Sequence, residues 1–203
     1  KEGRNLKIYN DVDESILQEI VEVLNHDGLI IFPTDTVYGL ACNAFSDKAI
    51  DKLFSSKERS LKKPINVLTD SPAKISLVAK AANDLEKELM EKYFPGNLTI
   101  ILDKKEGVSD LLTANKPTIG VRIPNNEIAL QILKAYPYPL ATTSVNLTNC
   151  KAGTEINDFL ATFQNKVDII IDGGKTSDTP STIVRVEKNK INILREGSLK
   201  ITE

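Results

Sequence analysis

The stretch LIIFPTDTVYGL at residues 29–40 predicts a buried strand that is followed directly by a cluster of polar side chains. Its apolar run, residues 29–32, has the length of a strand that the core covers on both faces. Pro33 ends the strand, because proline cannot donate a hydrogen bond to a sheet ladder. The polar residues at 34–38 therefore lie at a strand end and are the first candidates for a binding site.

On both sides of this stretch, the hydrophobic period alternates between that of helices and that of strands. Helices are predicted at 13–25, after a cap at Ser46, and at 72–79, 83–93, 128–136 and 154–163. Strands are also predicted at 6–9, 64–68, 98–102, 118–123, 140–144, 167–171, 181–186 and 191–194. The alternation predicts an α/β (mixed α+β) fold, a single domain over residues 1–203 in which helices pack on a mixed sheet.

The composition excludes several broad classes of protein. Hydrophobic residues make up 41% and charged residues 27% of the chain, which is typical of a globular protein. With 26 Lys plus Arg against 28 Asp plus Glu, the net charge of -2 argues against a strongly basic nucleic-acid binder. Cys42 and Cys150 lack metal-ligand spacing and are expected to be small packing residues. Since the sequence has no signal-peptide core and no apolar run near the roughly 20 residues of a membrane span, we expect a cytoplasmic protein.

After the common catalytic motifs are excluded, a set of cationic and hydroxyl residues near strand ends remains. The basic loop 57–63 is one member, although a solvated charged loop would have the same composition. Arg122 stands in an apolar strand, and a buried arginine needs an anionic partner or a path to water. Thr142, Ser144 and Asn146 alternate along one strand face. Three of the five arginines lie at strand ends or in the basic loop, as a pocket for an anionic, phosphate-rich ligand requires.

Taken together, these segments resemble the YrdC family, the threonylcarbamoyl-AMP synthases. The resemblance extends from about Ile16 to Ser198 and consists of seven motifs in the family order. They are PTDTVYGL at 33–40, Lys-x-Arg at 57–59, PGNLTIIL at 95–102, T-x-x-x-R-x-P at 118–124, Ser-x-Asn at 144–146, PSTIV at 180–184 and ILREG at 193–197. Each motif alone is weak, but their order along nearly the whole chain is specific.

The resemblance implies a twisted mixed sheet with flanking helices and a deep concave pocket, in the short single-domain form of the family. It implies a nucleotidyltransferase that converts L-threonine, bicarbonate and ATP to threonylcarbamoyl-AMP and pyrophosphate. That product would serve the threonylcarbamoyl-adenosine modification of tRNA beside the anticodon, which a separate transferase complex completes. No protein nucleophile is needed, because the protein has to orient two substrates and neutralise phosphates. Mg²⁺ is expected with the triphosphate, and no protein side chain is predicted as its ligand.

The resemblance also implies roles for individual residues. The expected ATP-binding residues are Lys57, Arg59, Leu61, Thr118, Ser144, Asn146, Ala152 and Arg195. The expected L-threonine-binding residues are Thr34, Arg122, Thr142 and Ser181. Lys57 and Arg59 are the expected catalytic residues, and loss of one charge-assisted phosphate contact should cost about 2–4 kcal/mol in the transition state. Arg122 would pair with the threonine carboxylate, which accounts for an arginine in an apolar strand.

Two other functions fit parts of this pattern. The domain could be a binding module for double-stranded RNA or tRNA without catalysis, using the basic loop 57–63. It could also act on a different carbamoyl acceptor, although proteins of that kind are usually much longer. Arg122, Ser144, Asn146 and Arg195 favour the synthase, because RNA binding alone would not need them. The segments 57–63 and 173–180 carry few apolar anchors and are candidates for a lid over the pocket.

Overall fold

The strands form a sheet that runs through the whole described part of the chain. The computed structural model describes residues 5–58, 63–147 and 150–202. The strands found in them are β1 (Lys7–Tyr9), β2 (Ile30–Phe32), β3 (Gly39–Asn43), β4 (Asn66–Leu68), β5 (Leu98–Asp103), β6 (Thr118–Arg122), β7 (Leu140–Ser144), β8 (Ile169–Ile171), β9 (Thr182–Glu187) and β10 (Lys190–Arg195). Their order across the sheet is β1-β8-β2-β3-β7-β4-β6-β5-β9-β10. The sheet is mixed, because pairs such as β4–β6 and β5–β9 are parallel while β3–β7 and β4–β7 are antiparallel.

Helices cover both faces of this sheet. Those in the described residues are α1 (Glu14–Asn25), α2 (Asp47–Ser56), α3 (Pro72–Ile75), α4 (Asp84–Tyr93), α5 (Asp110–Thr113), α6 (Glu127–Ala135) and α7 (Leu160–Phe163). A 3₁₀ turn at Ile156–Asp158 precedes α7. None of these described helices has both the length and the apolar composition of a membrane span.

Side-chain caps explain where the longer helices begin. Asp13 and Ser46 each accept a hydrogen bond from the backbone N–H three residues further on, at 2.8 and 3.1 Å. Asn83 and Glu86 form a reciprocal capping box at the start of α4. These contacts satisfy N–H groups that have no partner inside the helix. The predicted beginnings of the helices near 13, 46 and 83 are therefore confirmed to within one residue.

Neighbouring residues of the central strands point to opposite faces of the sheet and sort the core into two clusters. Val67 and Val121 belong to the larger cluster, which packs against α2, α4, α5 and α7. The residues paired next to them, Leu68 and Arg122, point to the other face. A smaller cluster, which includes Leu68, packs on that face against α1 and α6. Arg122 thus lies on the same face of the sheet as the smaller cluster. A site that uses Arg122 has to lie on that face.

Two secondary-structure predictions differ from the structure near the site. No strand is predicted at 39–43, but this segment forms β3 and pairs with β2 and β7. Its sequence GLACN lacks the β-branched residues typical of strands, so its conformation depends on those two neighbours. The helix predicted at 154–163 is interrupted at Phe159, whose φ is −135°. The ring of Phe159 instead packs in the core against Tyr38, with ring centroids 5.1 Å apart.

Two further predictions need correction. The helix predicted at 72–79 ends at Ile75, so that α3 is a single turn. The expectation that both cysteines are packing residues is right for Cys42, which is buried, and wrong for Cys150, which is exposed. Burial raises the pKa of the Cys42 thiol, so this residue stays an uncharged core group.

Candidate active site

A cavity of about 290 Å³ lies against the central strands, on the face of the sheet to which Arg122 points. Five neighbouring strands, β3, β7, β4, β6 and β5, contribute residues to its wall. The segment between β8 and β9 contributes as well. The lining residues are Thr34, Thr36, Val37, Tyr38, Gly39, Pro64, Ile65, Asn66, Leu68, Thr99, Arg122, Thr142, Thr143, Ser144, Ala152, Asp178, Pro180, Ser181 and Arg195. The predicted binding residues among them are Thr34, Arg122, Thr142, Ser144, Ala152, Ser181 and Arg195. The structure thus brings together residues that are far apart in the chain.

Arg122, the last residue of β6, is held by the segment that follows β2. Its Nη1 donates to Oδ1 of Asp35 at 2.5 Å and to the carbonyl of Gly96 at 3.3 Å. Its Nη2 donates to the hydroxyl of Thr36 at 3.1 Å and to that of Thr34 at 3.5 Å. Arg122 is 6% exposed and Thr34 is 4% exposed, so the cluster is removed from solvent. The predicted anionic partner of Arg122 exists, and in this structure it is the carboxylate of Asp35.

Ser181, directly before β9, joins two parts of the cavity wall. Its hydroxyl lies 2.8 Å from that of Thr99 on β5 and accepts a hydrogen bond from Nη2 of Arg195 at 3.2 Å. Nε of Arg195 donates to the carbonyl of Ser181 at 3.0 Å. Desolvation at the cavity wall, followed by the positive charge of Arg122, lowers the pKa of Arg195 from its ordinary value. Both guanidinium groups line the same cavity and lie close enough to repel one another, so an anionic ligand bound there would be stabilised by both.

The end of β7 forms a third part of the wall, and the turn after it contacts this part. The hydroxyl of Ser144 donates to Oδ1 of Asn146 at 2.7 Å. Nζ of Lys57, directly after α2, donates to the hydroxyl of Thr143 at 2.8 Å. Lys57 is only 3% exposed, so its cation is directed inward and not toward bulk solvent. Lys57 and Asn146 do not themselves line the cavity, but each contacts a residue that does.

Gly197 allows the chain after β10 to approach this wall closely. A Cβ at this position would collide with the carbonyl oxygen of Pro180 and with the backbone of Ser181. The N–H of Gly197 also donates to the hydroxyl of Thr182 at 3.0 Å. Glycine is therefore required here, and the close approach keeps Arg195 next to Ser181.

Thr118, like Lys57 and Asn146, is not among the residues that line the described cavity. Thr118 and Arg122 share β6, as predicted, but they stand at its two ends, about 13 Å apart along the strand. Thr118 pairs with Asp103 on β5. The assignment of Thr118 to the ATP site thus finds no support in the described part of the cavity wall and stays a prediction. Arg59 and Leu61, by contrast, lie outside the described residues.

Three residues of the site were not assigned a role from the sequence. Asp35 and Thr36 hold Arg122, and Thr99 holds Ser181. Asp35 and Thr36 belong to the polar stretch at 34–38, so a signal for them was present. Thr99 is 1% exposed in an otherwise apolar strand, and a buried hydroxyl of this kind indicates a hydrogen-bond partner across the sheet. Oδ2 of Asp35 is buried without a hydrogen-bond partner among the described residues, so a ligand or water donor would be stabilised there.

The described residues do not form a cage for a metal ion. No group of three His, Cys, Asp or Glu side chains in them is placed to hold one. Asp178 is the carboxylate residue among those that line the cavity. Since Mg²⁺ prefers six oxygen ligands, an ion bound here would take most of them from a ligand and from water.

Comparison with known proteins gives consistent matches over most of the chain. A family model for the Sua5, YciO and YrdC proteins, described as telomere recombination, matches residues 22–197. A Methanocaldococcus jannaschii protein is 36% identical over 97% of this chain and 94% of its own length. The threonylcarbamoyl-AMP synthase of Pyrococcus abyssi is 32% identical over 86% of this chain and 52% of its own length. The chain thus spans nearly all of the first relative and about half of the second.

Solved structures share the architecture. The crystal structure of P. abyssi Sua5 complexed with L-threonine has a TM-score of 0.90 at 29% identity and covers 96% of this chain and 58% of its own. E. coli YciO has a TM-score of 0.84 at 25% identity, over 95% of this chain and 94% of its own. The predicted mixed α/β fold with a sheet flanked by helices is confirmed.

Proposed function

The chain belongs to the Sua5/YciO/YrdC family, and we propose that it is a threonylcarbamoyl-AMP synthase, a nucleotidyltransferase that uses L-threonine, bicarbonate and ATP. The observation that carries this proposal is that two arginines, Arg122 and Arg195, line one cavity. An amino-acid carboxylate and a phosphate chain are both anionic, so a site for the two needs two separated cations. The name of the P. abyssi synthase and its complex with L-threonine support the assignment.

We assign L-threonine to the side of the cavity that contains Arg122. The carboxylate would accept from Nη2, whose contacts to the hydroxyls of Thr34 and Thr36 are longer than the contact of Nη1 to Asp35. Asp35 would keep Nη1 in place while the ligand binds. Ser181 supplies a hydroxyl on the neighbouring wall. Thr142 lines the same cavity, and its hydroxyl donates to the carbonyl of Leu140 at 3.0 Å, so its oxygen remains an acceptor that faces a ligand.

We assign the triphosphate of ATP to the side that contains Ser144 and Arg195, with Lys57 and Asn146 behind it. In the proposed reaction, the amine of L-threonine and bicarbonate form a carbamate with release of water, and a carbamate oxygen then attacks the α-phosphorus. The bond from that phosphorus to the bridging oxygen breaks, and pyrophosphate leaves with the electron pair. The cations oppose the charge that develops on the leaving group, which is the main contribution expected from the protein. Magnesium is proposed as part of the ATP substrate, and no step is assigned to a metal bound by protein side chains.

The proposal extends to the place of the reaction. The product would be consumed by a separate transferase that modifies adenosine beside the anticodon of tRNA, and we place both steps in the cytoplasm. The boundary of the domain at residues 1–203 is part of the same proposal. The RNA-binding alternative finds no favouring observation in the described residues. Lys57, a member of the basic loop that such binding would use, is buried against Thr143.

The test is product formation by the purified protein. ATP, magnesium, bicarbonate and L-threonine are mixed with it, and mass spectrometry measures threonylcarbamoyl-AMP. We expect product only when all substrates are present, and a loss of about a hundredfold or more in Lys57→Ala and Arg59→Ala. Lys48→Ala is the matched control, because Lys48 is an exposed lysine of α2, the helix that Lys57 follows. Absence of product, with neither ATP nor L-threonine bound, would overturn the proposal.

A further inference from the structure

The segment at residues 172–181 crosses from β8 to β9 and forms part of the cavity wall. All of its residues are described, and they contain no helix or strand. Its second half brings Asp178, Pro180 and Ser181 to the cavity. We refer to residues 172–181 as the strap. A wall without regular secondary structure needs side-chain contacts to fix its position, and these contacts are concentrated at a few points.

The first half of the strap is attached to the hydroxyl of Tyr38. This hydroxyl donates to the carbonyl of Gly174 at 2.7 Å and accepts from the N–H of Gly173 at 3.0 Å. Oδ1 of Asp172 lies 3.3 Å from the same hydroxyl and accepts from the N–H of Gly174 at 3.0 Å. One side-chain atom therefore contacts three consecutive residues of the strap.

Tyr38 is itself fixed by the core and by the nucleotide side of the cavity. The residue is 0% exposed, and its ring packs against that of Phe159. Its backbone N–H donates to the carbonyl of Gly153 at 3.3 Å, and its carbonyl accepts from the N–H of Val145 at 3.2 Å. Val145 follows Ser144, and Gly153 follows Ala152, so both backbone partners are next to residues that line the cavity. Tyr38 thus connects the strap to the part of the wall that contains Ser144 and Ala152.

The strap is attached at two further points. The N–H of Thr176 donates to the carbonyl of Thr154 at 2.8 Å. Ser181, at the other end, contacts Thr99 and Arg195. With Tyr38 at the first residues and Ser181 at the last, the strap is held at both ends. The position of Asp178 and Pro180 between these ends depends on both attachments.

We propose that Tyr38 is a positioning residue for the synthase reaction, which it serves by holding the strap in the place where Ser181 and its neighbours meet the amino-acid substrate. The inference rests on the function proposed above. Tyr38 itself contacts no reacting atom in this proposal and acts through the strap. Burial raises the pKa of Tyr38 to about 12, so the hydroxyl keeps the proton that it donates to Gly174 at all physiological pH values.

The chain offers a matched control in Tyr136. Tyr136 is also 0% exposed, and burial raises its pKa to about 12 as well. Its hydroxyl donates to Oδ1 of Asn25 at 3.2 Å, in the smaller core cluster and away from the cavity lining. Tyr38→Phe and Tyr136→Phe therefore remove the same atom from equally buried rings. A general effect on stability would be shared by both variants, whereas an effect on the strap would not.

Two measurements on the purified chain test the proposal. The first is amide hydrogen exchange without substrates, in which we expect Gly173, Gly174 and Thr176 to exchange about fivefold faster or more in Tyr38→Phe and unchanged in Tyr136→Phe. The second is steady-state product formation, in which we expect the KM for L-threonine to rise about five- to tenfold in Tyr38→Phe with kcat changed less than about twofold. Ser181 would contact the substrate equally before and during the reaction, so the effect falls on KM.

The outcomes separate this inference from the proposed function. If the wild-type chain forms no product and binds neither ATP nor L-threonine, the proposed function fails, while hydrogen exchange still decides whether Tyr38 holds the strap. If the wild type forms product and the two variants exchange and turn over alike, Tyr38 has no positioning role. Faster exchange in Tyr38→Phe with an unchanged KM would also overturn the inference, because the position of the strap would then not matter to the site.

Discussion

The two sides of the cavity differ in how completely the protein itself satisfies their polar groups. On the side that we assign to L-threonine, here the amino-acid side, Thr34, Arg122 and Ser181 are 4%, 6% and 6% exposed, and each is hydrogen-bonded to another part of the chain. On the side that we assign to ATP, here the nucleotide side, Ser144 is half-buried and Arg195 remains exposed. The amino-acid side is therefore preorganised by folding, whereas the nucleotide side stays solvated and can adjust to its ligand.

The difference follows from the positions of these residues in the sheet. Arg122 ends a strand with sheet neighbours on both sides, so neighbouring elements cover it. Arg195 ends β10, the last strand of the sheet order, where water reaches the backbone. Lys57 departs from this pattern, because it belongs to the nucleotide side and is buried. A buried lysine needs a partner. Replacing Lys57 should therefore lower the free energy of unfolding, as replacement of a buried residue on the amino-acid side does.

The largest effect is expected for Arg122→Met, which leaves the Asp35 carboxylate buried without its cation. We expect the free energy of unfolding to fall by about 3–5 kcal/mol and threonine-dependent product formation to fall about a hundredfold or more. Urea denaturation and the product assay measure the two quantities. Arg185→Met is the control, since Arg185 pairs at 2.7 Å with Asp103, whose side chain is 63% exposed. Such a surface pair contributes about 0–1 kcal/mol to stability. If the free energy of unfolding fell equally in the two variants, the Arg122–Asp35 pair would be no more important to stability than an exposed pair.

A smaller effect is expected for Arg195→Met on the nucleotide side. Thr99 keeps the hydroxyl of Ser181 in place in this variant. We therefore expect the KM for ATP to rise about tenfold and the free energy of unfolding to change by only about 1 kcal/mol. Steady-state kinetics with each substrate varied in turn measures the first quantity. If the KM for L-threonine rose as much as that for ATP, the two sides would not be separate sites.

The smallest effect concerns the exposed Cys150, whose carbonyl accepts from Nδ2 of Asn146 at 2.6 Å. We expect ATP to slow its alkylation by iodoacetamide a few-fold and L-threonine to leave the rate unchanged, since access to a thiol controls its reactivity. Mass spectrometry of the modified peptides measures the rate. Cys42 is the internal control and should remain unmodified, because it is buried and its pKa is raised. Equal protection by both substrates would show that Cys150 does not report on the nucleotide side.

The structure also shows which features of the site the sequence patterns could predict. The apolar surroundings of Arg122 correctly indicated that it needs an anion. Asp35 could not be identified as that anion, because the contact joins residues 87 positions apart in the chain. For Thr118, the shared strand was predicted correctly. Thr118 and Arg122 stand at the two ends of that strand, and Thr118 is not among the residues that line the described cavity, so its role in the ATP site stays a prediction.

Local signals were sufficient for the helix caps at Asp13, Ser46 and Asn83, for most of the strands, and for the order of motifs that indicates the family. The caps and strands depend on residues within a few positions of one another, where propensity and hydrogen bonding to the nearby backbone dominate, and the motif order can be read directly along the chain. The tertiary structure alone decided that GLACN becomes β3, that Asp35 neutralises Arg122 and that Tyr38 holds the strap. For β3, the partners are its sheet neighbours β2 and β7. Asp35 meets Arg122 because the segment between β2 and β3 reaches the end of β6. The strap meets Tyr38 because it begins directly after β8, which is the other neighbour of β2.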